Sequence, residues 1–263
     1  MTFNLSGKTA IITGSTSGIG LAIAQKLANM NANVVISGLE DENDIQKNLE
    51  ELKTLTNGHV LYVQSDLSKP EGCFNLIDKA ILEFNKVDIL VNNAGIQFVS
   101  PIEDFPIEKW NMILNTNLSS VFYCTQKVLP IMRQNNFGRI INIASVHGVV
   151  ASPQKSAYVA AKHGVIGLTK VIALETAKDN ITCNAICPGW VLTPLVKKQI
   201  EDRALLKGTS FEIESLALLS EKQPSQQYIE PEDIGDLVLF LSSKAAAQIT
   251  GVDLKIDGGW TAQ

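Results

Sequence analysis

Thr13-Gly14-Ser15-Thr16-Ser17-Gly18-Ile19-Gly20 stands where a short apolar run, 9–13, gives way to a helical pattern carrying Ile19, Ala22, Ile23, Leu27 and Met30. Glycines at such a junction let the backbone turn sharply with no Cβ in the way. The helix that follows offers free N–H groups and the positive end of its dipole. A pyrophosphate fits there. The spacing is looser than G-x-G-x-x-G, so a merely structural turn competes with a dinucleotide site. Its place at the first strand–helix junction favours the dinucleotide.

Outward from this turn, β-branched runs alternate with helical stretches almost to the end. Further strands are read at 34–37, 60–64, 89–91, 140–143, 182–186 and 254–256, with helices near 41–56, 70–84, 107–134, 156–178 and 231–243. Several strands are apolar throughout, as expected when helices cover both faces. The alternation predicts an α/β fold, a Rossmann-type, doubly wound, seven-stranded parallel sheet in the order 3-2-1-4-5-6-7. No linker or repeat divides the 263 residues, so one domain over 1–263 is expected. The stretch 194–228, rich in Leu, Lys, Glu and Gln, interrupts the alternation at the carboxyl end of the sheet. A helical substrate lid is the favoured reading, a surface helical hairpin the other.

Hydrophobic residues make up 45% and charged residues 19%, enough apolar material for a full core without disulfides. The net charge of −5 is interspersed, with no basic stripe for nucleic acid, and no apolar run suggests a membrane span. Residues 1–8 lack the pattern of a signal peptide, so the expected location is cytoplasmic. Cys73, Cys124, Cys183 and Cys187 form no metal spacing, and no metal is expected. Cys183 and Cys187 sit on one predicted strand, with Cα atoms roughly 13 Å apart, too far for a disulfide. Buried free thiols are expected at all four positions.

Other stretches point to the same crevice. Asp66 and Leu67 follow the third strand, where Asp66 fits either an adenine contact or a loop cap. Asn92-Asn93-Ala94-Gly95 ends the fourth strand, and its small residues let a flat cofactor approach, although packing alone explains Asn92 equally well. After the second strand, Gly38-Leu39-Glu40-Asp41-Glu42 carries three carboxylates and no cation before Lys47. That charge repels a 2′-phosphate, so NAD is expected over NADP.

Ser145 ends the fifth strand, and Tyr158 and Lys162 lie four apart on a predicted helix, so both project from one face. An alcohol that loses hydride must also lose its hydroxyl proton. A phenol accepts that proton only as phenolate, which a neighbouring ammonium favours by lowering the phenol pKa. The predicted chemistry is hydride transfer between a nicotinamide dinucleotide and a small hydroxy or keto compound.

With these motifs the chain, from about Leu5 to Gly259, resembles the short-chain dehydrogenase/reductase family. The resemblance rests on the glycine turn, Asn92–Gly95, Ser145, Tyr158-Val159-Ala160-Ala161-Lys162 and Pro188-Gly189. It implies a catalytic set of Asn117, Ser145, Tyr158 and Lys162, with Asn117 kinking a helix and holding a water in a proton relay. It implies cofactor contacts from Gly14, Ser15, Thr16, Ser17, Gly18, Ile19, Gly20, Asp66, Leu67, Asn93, Ala94 and Gly95. Tyr158, Lys162, Pro188, Gly189, Val191 and Thr193 complete that set, although Thr193 before Pro194 also reads as a helix cap.

Gln97, His147, Lys155 and Gln199 fall on loops that this topology gathers at the carboxyl end of the sheet. Each alone is an ordinary loop or surface residue. Together, donors and a cation beside a hydride acceptor suggest a small carboxylate, with Trp190 and Trp260 as an apolar wall. Stretches such as Asn142–Gly148, Ala185–Val191, Ser220–Ser225 and Asp257–Trp260 narrow the likeness to the branch of the family that oxidises D-3-hydroxybutyrate to acetoacetate with NAD. That likeness implies carboxylate binding by Gln97, His147, Lys155 and Gln199, and a homotetramer. Two alternatives stand beside it: a reductase of another small 3-keto acid or acyl thioester, and a non-catalytic dinucleotide-binding regulator. Missing 2′-phosphate cations weigh against an NADPH-dependent ketoacyl reductase, and the full catalytic set weighs against the regulator.

Overall fold

The structure is a computed structural model and describes residues 4–262. Its seven strands are β1 (Thr9–Ile12), β2 (Asn33–Gly38), β3 (Val60–Gln64), β4 (Ile89–Asn92), β5 (Gly138–Ile143), β6 (Ile181–Pro188) and β7 (Asp253–Ile256). All pair in parallel, in the order β3-β2-β1-β4-β5-β6-β7, as the alternation predicts.

Side chains along a strand alternate between the faces, and each face has its own apolar layer. On one face Ala10, Ile12, Val34 and Ile36 pack with α1 (Gly18–Asn29), α2 (Gln46–Leu55) and, C-terminally in the chain, a helix at Pro231–Ser242. On the other, Ile11, Val35 and Leu90 meet α3 (Pro70–Phe84) and the helices that follow β4 and β5. This double covering explains why the strands read as continuous apolar runs.

Between β4 and β5 the chain forms α4 (Ile107–Leu114), a π-helical turn at Asn115–Ser119, and α5 (Ser120–Gln134). The single helix expected over 107–134 is therefore broken by an inserted residue, a device common at functional sites. After β5 comes a 3₁₀ turn at Val146–Gly148 and then α6 (Ser156–Glu175). Among the described residues α6 is the one helix long and apolar enough to cross a membrane by length and composition. Its Ala157, Ala161, Val165, Ile166 and Ile172 are buried within the fold, which accounts for that composition.

The interruption at 194–228 consists of α7 (Pro194–Lys207) and α8 (Phe211–Lys222), joined through Gly208 at φ 66°. Val196 and Ile200 of α7 and Leu218 of α8 pack on Trp190, Leu192, Phe211 and Tyr228. The buried carboxylate of Glu214 receives Arg203, Lys207 and the Thr209 hydroxyl. α9 (Pro231–Ser242) then packs beside α1 before the chain enters β7. All four cysteines are buried and free, as expected.

Candidate active site

Strand order reverses between β1 and β4, and a crevice opens there at the carboxyl ends of the strands. The resulting cleft has a volume of about 650 Å³ and runs from the glycine turn to Trp260.

Its first half is shaped by the glycine turn. Gly14 has φ 59°, and a Cβ there would lie 2.8 Å from Ala94 Cα. Gly18, at φ 55°, faces Thr193 across the cleft. The Thr13 hydroxyl accepts the Asn93 and Ala94 amides at 2.9 and 3.0 Å, and Asn93 Nδ2 donates to the Thr13 and Gly14 carbonyls at 2.9 and 2.8 Å. The Asn-Asn-Ala-Gly stretch thus braces the turn from the next strand. Thr16, Ser17, Ile19, Gly20, Leu67 and Gly95 line the same end. A cradle that a Cβ would fill, at the open N-terminus of α1, fits a dinucleotide. Asp66 also lines it, with its carboxylate turned to the Ser68 amide and hydroxyl at 3.1 and 2.6 Å. Those bonds hold its carboxyl below the usual range.

Two expected residues are not on this wall. Ser15 donates its amide to Ser37 O at 2.9 Å and its hydroxyl to Ile12 O at 2.6 Å, which ties the turn to β1 and β2. Both of its donors are thereby spent within the fold. Asn117, 1% exposed in the π-helical turn, lies behind the wall. Its amide bonds both backbone groups of Ile96, at 2.8 and 2.9 Å. The break in the helix expected of Asn117 is there. Asn92 pairs with Asn142 at 2.8 Å inside the sheet, so packing is its role.

Ser145, Tyr158 and Lys162 converge midway along the cleft. Lys162 Nζ donates to Ile143 O at 2.7 Å and sits 5.6 Å from the Tyr158 ring centre. Burial pushes Lys162 down to about 8. The expected lowering of the Tyr158 phenol by this ammonium is not the dominant effect here. Burial pushes the phenol up, and a hydrogen bond from Ser145 opposes that rise.

Beyond them the wall is made of side chains from distant loops. Gln97, His147, Lys155, Trp190, Gln199 and Trp260 all line it. Lys155 Nζ lies 4.9 Å from the centre of the Trp190 indole, and burial pushes it down to about 8. Trp190 and Trp260 are 5.6 Å apart, with His147 5.5 Å from Trp260 and 5.9 Å from Tyr158. Trp260 thus belongs to the site of its own chain. Two donors, Gln97 Nε2 and Trp190 Nε1, are buried without a partner among the described residues.

Residues 8–204 match the family model described as short chain dehydrogenase. The chain belongs to the short-chain dehydrogenase family. It is an oxidoreductase whose cofactor is a nicotinamide dinucleotide. This dehydrogenase is 52% identical to the D-beta-hydroxybutyrate dehydrogenase of Cupriavidus necator, over 98% of this chain and 100% of that one. It is 50% identical to the enzyme of the same name from Rhizobium meliloti, over 97% and 99%. A solved actinorhodin polyketide ketoreductase with NADPH superimposes at a TM-score of 0.91, with 32% identity over 97% of this chain and 98% of that one.

Sequence reasoning missed several residues of this dehydrogenase's site. Thr13 holds the fourth strand to the turn, and only its place at a strand end before glycine could have marked it. Gln223, 1% exposed, accepts the Trp190 amide at 2.9 Å and so pins the end of α8 to the cleft. Thr193 caps α7 through Val196 N at 3.4 Å, the plainer of its two expected roles, while also lining the cleft.

Proposed function

We propose that this dehydrogenase oxidises D-3-hydroxybutyrate to acetoacetate, reversibly, with NAD. The observation that carries the substrate is the pair of partnerless buried donors, Gln97 Nε2 and Trp190 Nε1, in the wall that holds Lys155. Leaving a buried donor unmade costs about 1–3 kcal/mol, and a small carboxylate would remove that cost while pairing with the ammonium. The names of the Cupriavidus and Rhizobium relatives support the same substrate.

The glycine turn and the helix N-terminus behind it would hold the pyrophosphate, and Pro188, Gly189, Val191 and Thr193 the nicotinamide end. Once bound, the dinucleotide supplies the hydride acceptor. The substrate carboxylate lies among Gln97, His147, Lys155 and Gln199, and its methyl end against Trp190 and Trp260. Ser145 donates a hydrogen bond to the reacting oxygen, and the Tyr158 phenolate takes the hydroxyl proton as the C–H bond is broken. Lys162 and the buried Asn117 turn keep a proton path to Tyr158. The α7–α8 hairpin, which carries Gln199, acts as the lid.

NAD is favoured over NADP by Glu40. Its Oε1 accepts from Thr16 Oγ1 at 3.0 Å at the adenosine end, and among the described residues no Lys or Arg lines that end. We propose further that the enzyme is a cytoplasmic homotetramer. Free buried thiols suit a reducing compartment, and exposed Phe122 on α5 and Val171 and Leu174 on α6 offer apolar surface to a second copy.

The test is a panel of short 3-hydroxy acids of both hands, with their methyl esters and 2-butanol, assayed with NAD and with NADP. The expected best pair is D-3-hydroxybutyrate with NAD. Equal efficiency with the ester would overturn the carboxylate reading, and equal efficiency with NADP the Glu40 argument.

A further inference from the structure

One side chain that the proposed reaction does not use touches the carboxylate pocket from behind. Ser152 Oγ lies 2.9 Å from His147 Nε2. The other ring nitrogen, Nδ1, lies 3.5 Å from Ser145 Oγ, too long for a firm bond but within reach of its proton. Ser145 Oγ already accepts the His147 backbone amide at 3.1 Å. Its single proton is the only donor it can offer to Tyr158 or to the substrate oxygen.

A neutral imidazole has one donor and one acceptor, and the environment keeps His147 neutral. Burial, first, and then the cations of Lys155 and Lys222 and the His163 ring push it down to about 3. The choice of tautomer then has chemical weight. With the proton on Nε2, the Nδ1 lone pair would draw the Ser145 proton away from Tyr158 and would face a carboxylate with negative density. With the proton on Nδ1, His147 becomes a donor on the cleft side, and Ser145 keeps its proton for the reacting oxygen. A serine hydroxyl behind Nε2 selects the second state when it donates to that nitrogen.

We infer that Ser152 is a positioning residue that fixes His147 as the Nδ1–H tautomer, so that one buried histidine both receives the substrate carboxylate and leaves the Ser145 proton free. The role in turnover rests on the proposed carboxylate pocket, whereas the tautomer itself does not.

The experiment separates the two. In 15N-histidine-labelled protein, long-range proton–nitrogen correlation reports which ring nitrogen carries hydrogen, and only His59, His147 and His163 contribute signals. His147→Gln identifies the His147 set by its loss. Wild-type protein should show Nδ1–H at His147, and Ser152→Ala should move it to Nε2–H. In the same variant, KM for D-3-hydroxybutyrate should rise about tenfold, the worth of one charge-assisted hydrogen bond, with a smaller fall in kcat. Ser152→Thr, which keeps the hydroxyl, should restore the tautomer and both constants. Nε2–H in the wild type, an unchanged tautomer in Ser152→Ala, or a flipped tautomer with unchanged KM would each overturn the inference. Should the wild type instead show Nδ1–H yet fail to oxidise D-3-hydroxybutyrate, the substrate reading falls and the role of Ser152 in turnover falls with it.

Discussion

The two ends of the cleft are built differently. At the glycine end the turn is main chain held in place by side chains. Thr13, Ser15 and Asn93 spend their hydrogen bonds on neighbouring main chain, and the glycines supply room. At the tryptophan end the surface is side chain, drawn from β4, β5, β6, α6, α7 and the C-terminal turn, and two of its donors have no partner. A surface of the first kind suits one ligand part common to a whole family. One of the second kind leaves polar groups unsatisfied until a ligand arrives, and the proposed function locates specificity there.

Tyr158, midway between the ends, should give the largest effect. Tyr158→Phe is expected to lower kcat by at least 10²- to 10⁴-fold, since it removes the proton acceptor, while the dissociation constant of NAD measured by fluorescence titration stays within a few-fold. A variant keeping a tenth of the activity would move the acid–base role elsewhere.

A paired measurement tests the comparison directly. Lys155→Ala should raise substrate KM by on the order of 10- to 100-fold, more than Gln97→Ala does, and leave NAD binding unchanged. Gly14→Ala should do the reverse. Its Cβ would meet Ala94 in a left-handed backbone, so NAD affinity should fall at least about tenfold, while KM at saturating NAD barely moves. If both variants damage both ligands equally, the two ends are not separate.

The smallest effect is in pH. Burial lowers Lys155 to about 8, so its ammonium is complete below that pH and lost above it. The inhibition constant of butyrate, which has the carboxylate but no hydroxyl to oxidise, should rise several-fold between pH 7 and 9.5. In Lys155→Ala it should stay flat. Butyrate avoids confusion with Tyr158, whose deprotonation favours oxidation as pH rises.

Strand order and the glycine turn were legible because each depends on a local pattern: apolar runs for buried strands, and glycines where a Cβ would collide. The catalytic spacing of Tyr158 and Lys162 was legible because a helix converts a spacing of four into one face. Less local facts escaped. Ser15 reads like any residue of a phosphate turn, yet its bonds run to β1 and β2, and only the fold shows where it points. Asn117 was recognisable as a kink but not as a buried strut of Ile96. The rise in the Tyr158 pKa also lay beyond the sequence, because desolvation depends on everything packed around the phenol. Ser152 carries no pattern at all, and its nearness to His147 comes from the turn between β5 and α6.

Two of the three tryptophans, Trp190 and Trp260, stand 5.6 Å apart at an interplanar angle of 37°, in the cleft itself. Indoles so close share their excited states, and Lys155 adds a charge 4.9 Å from one of them. The third, Trp110, sits apart on α4, packed with Phe98 and Phe105. Two of the three indoles therefore report on the wall proposed to meet substrate. On the proposed reading the enzyme carries its own optical gauge: a carboxylate entering beside that pair is expected to shift the tryptophan emission without any added dye.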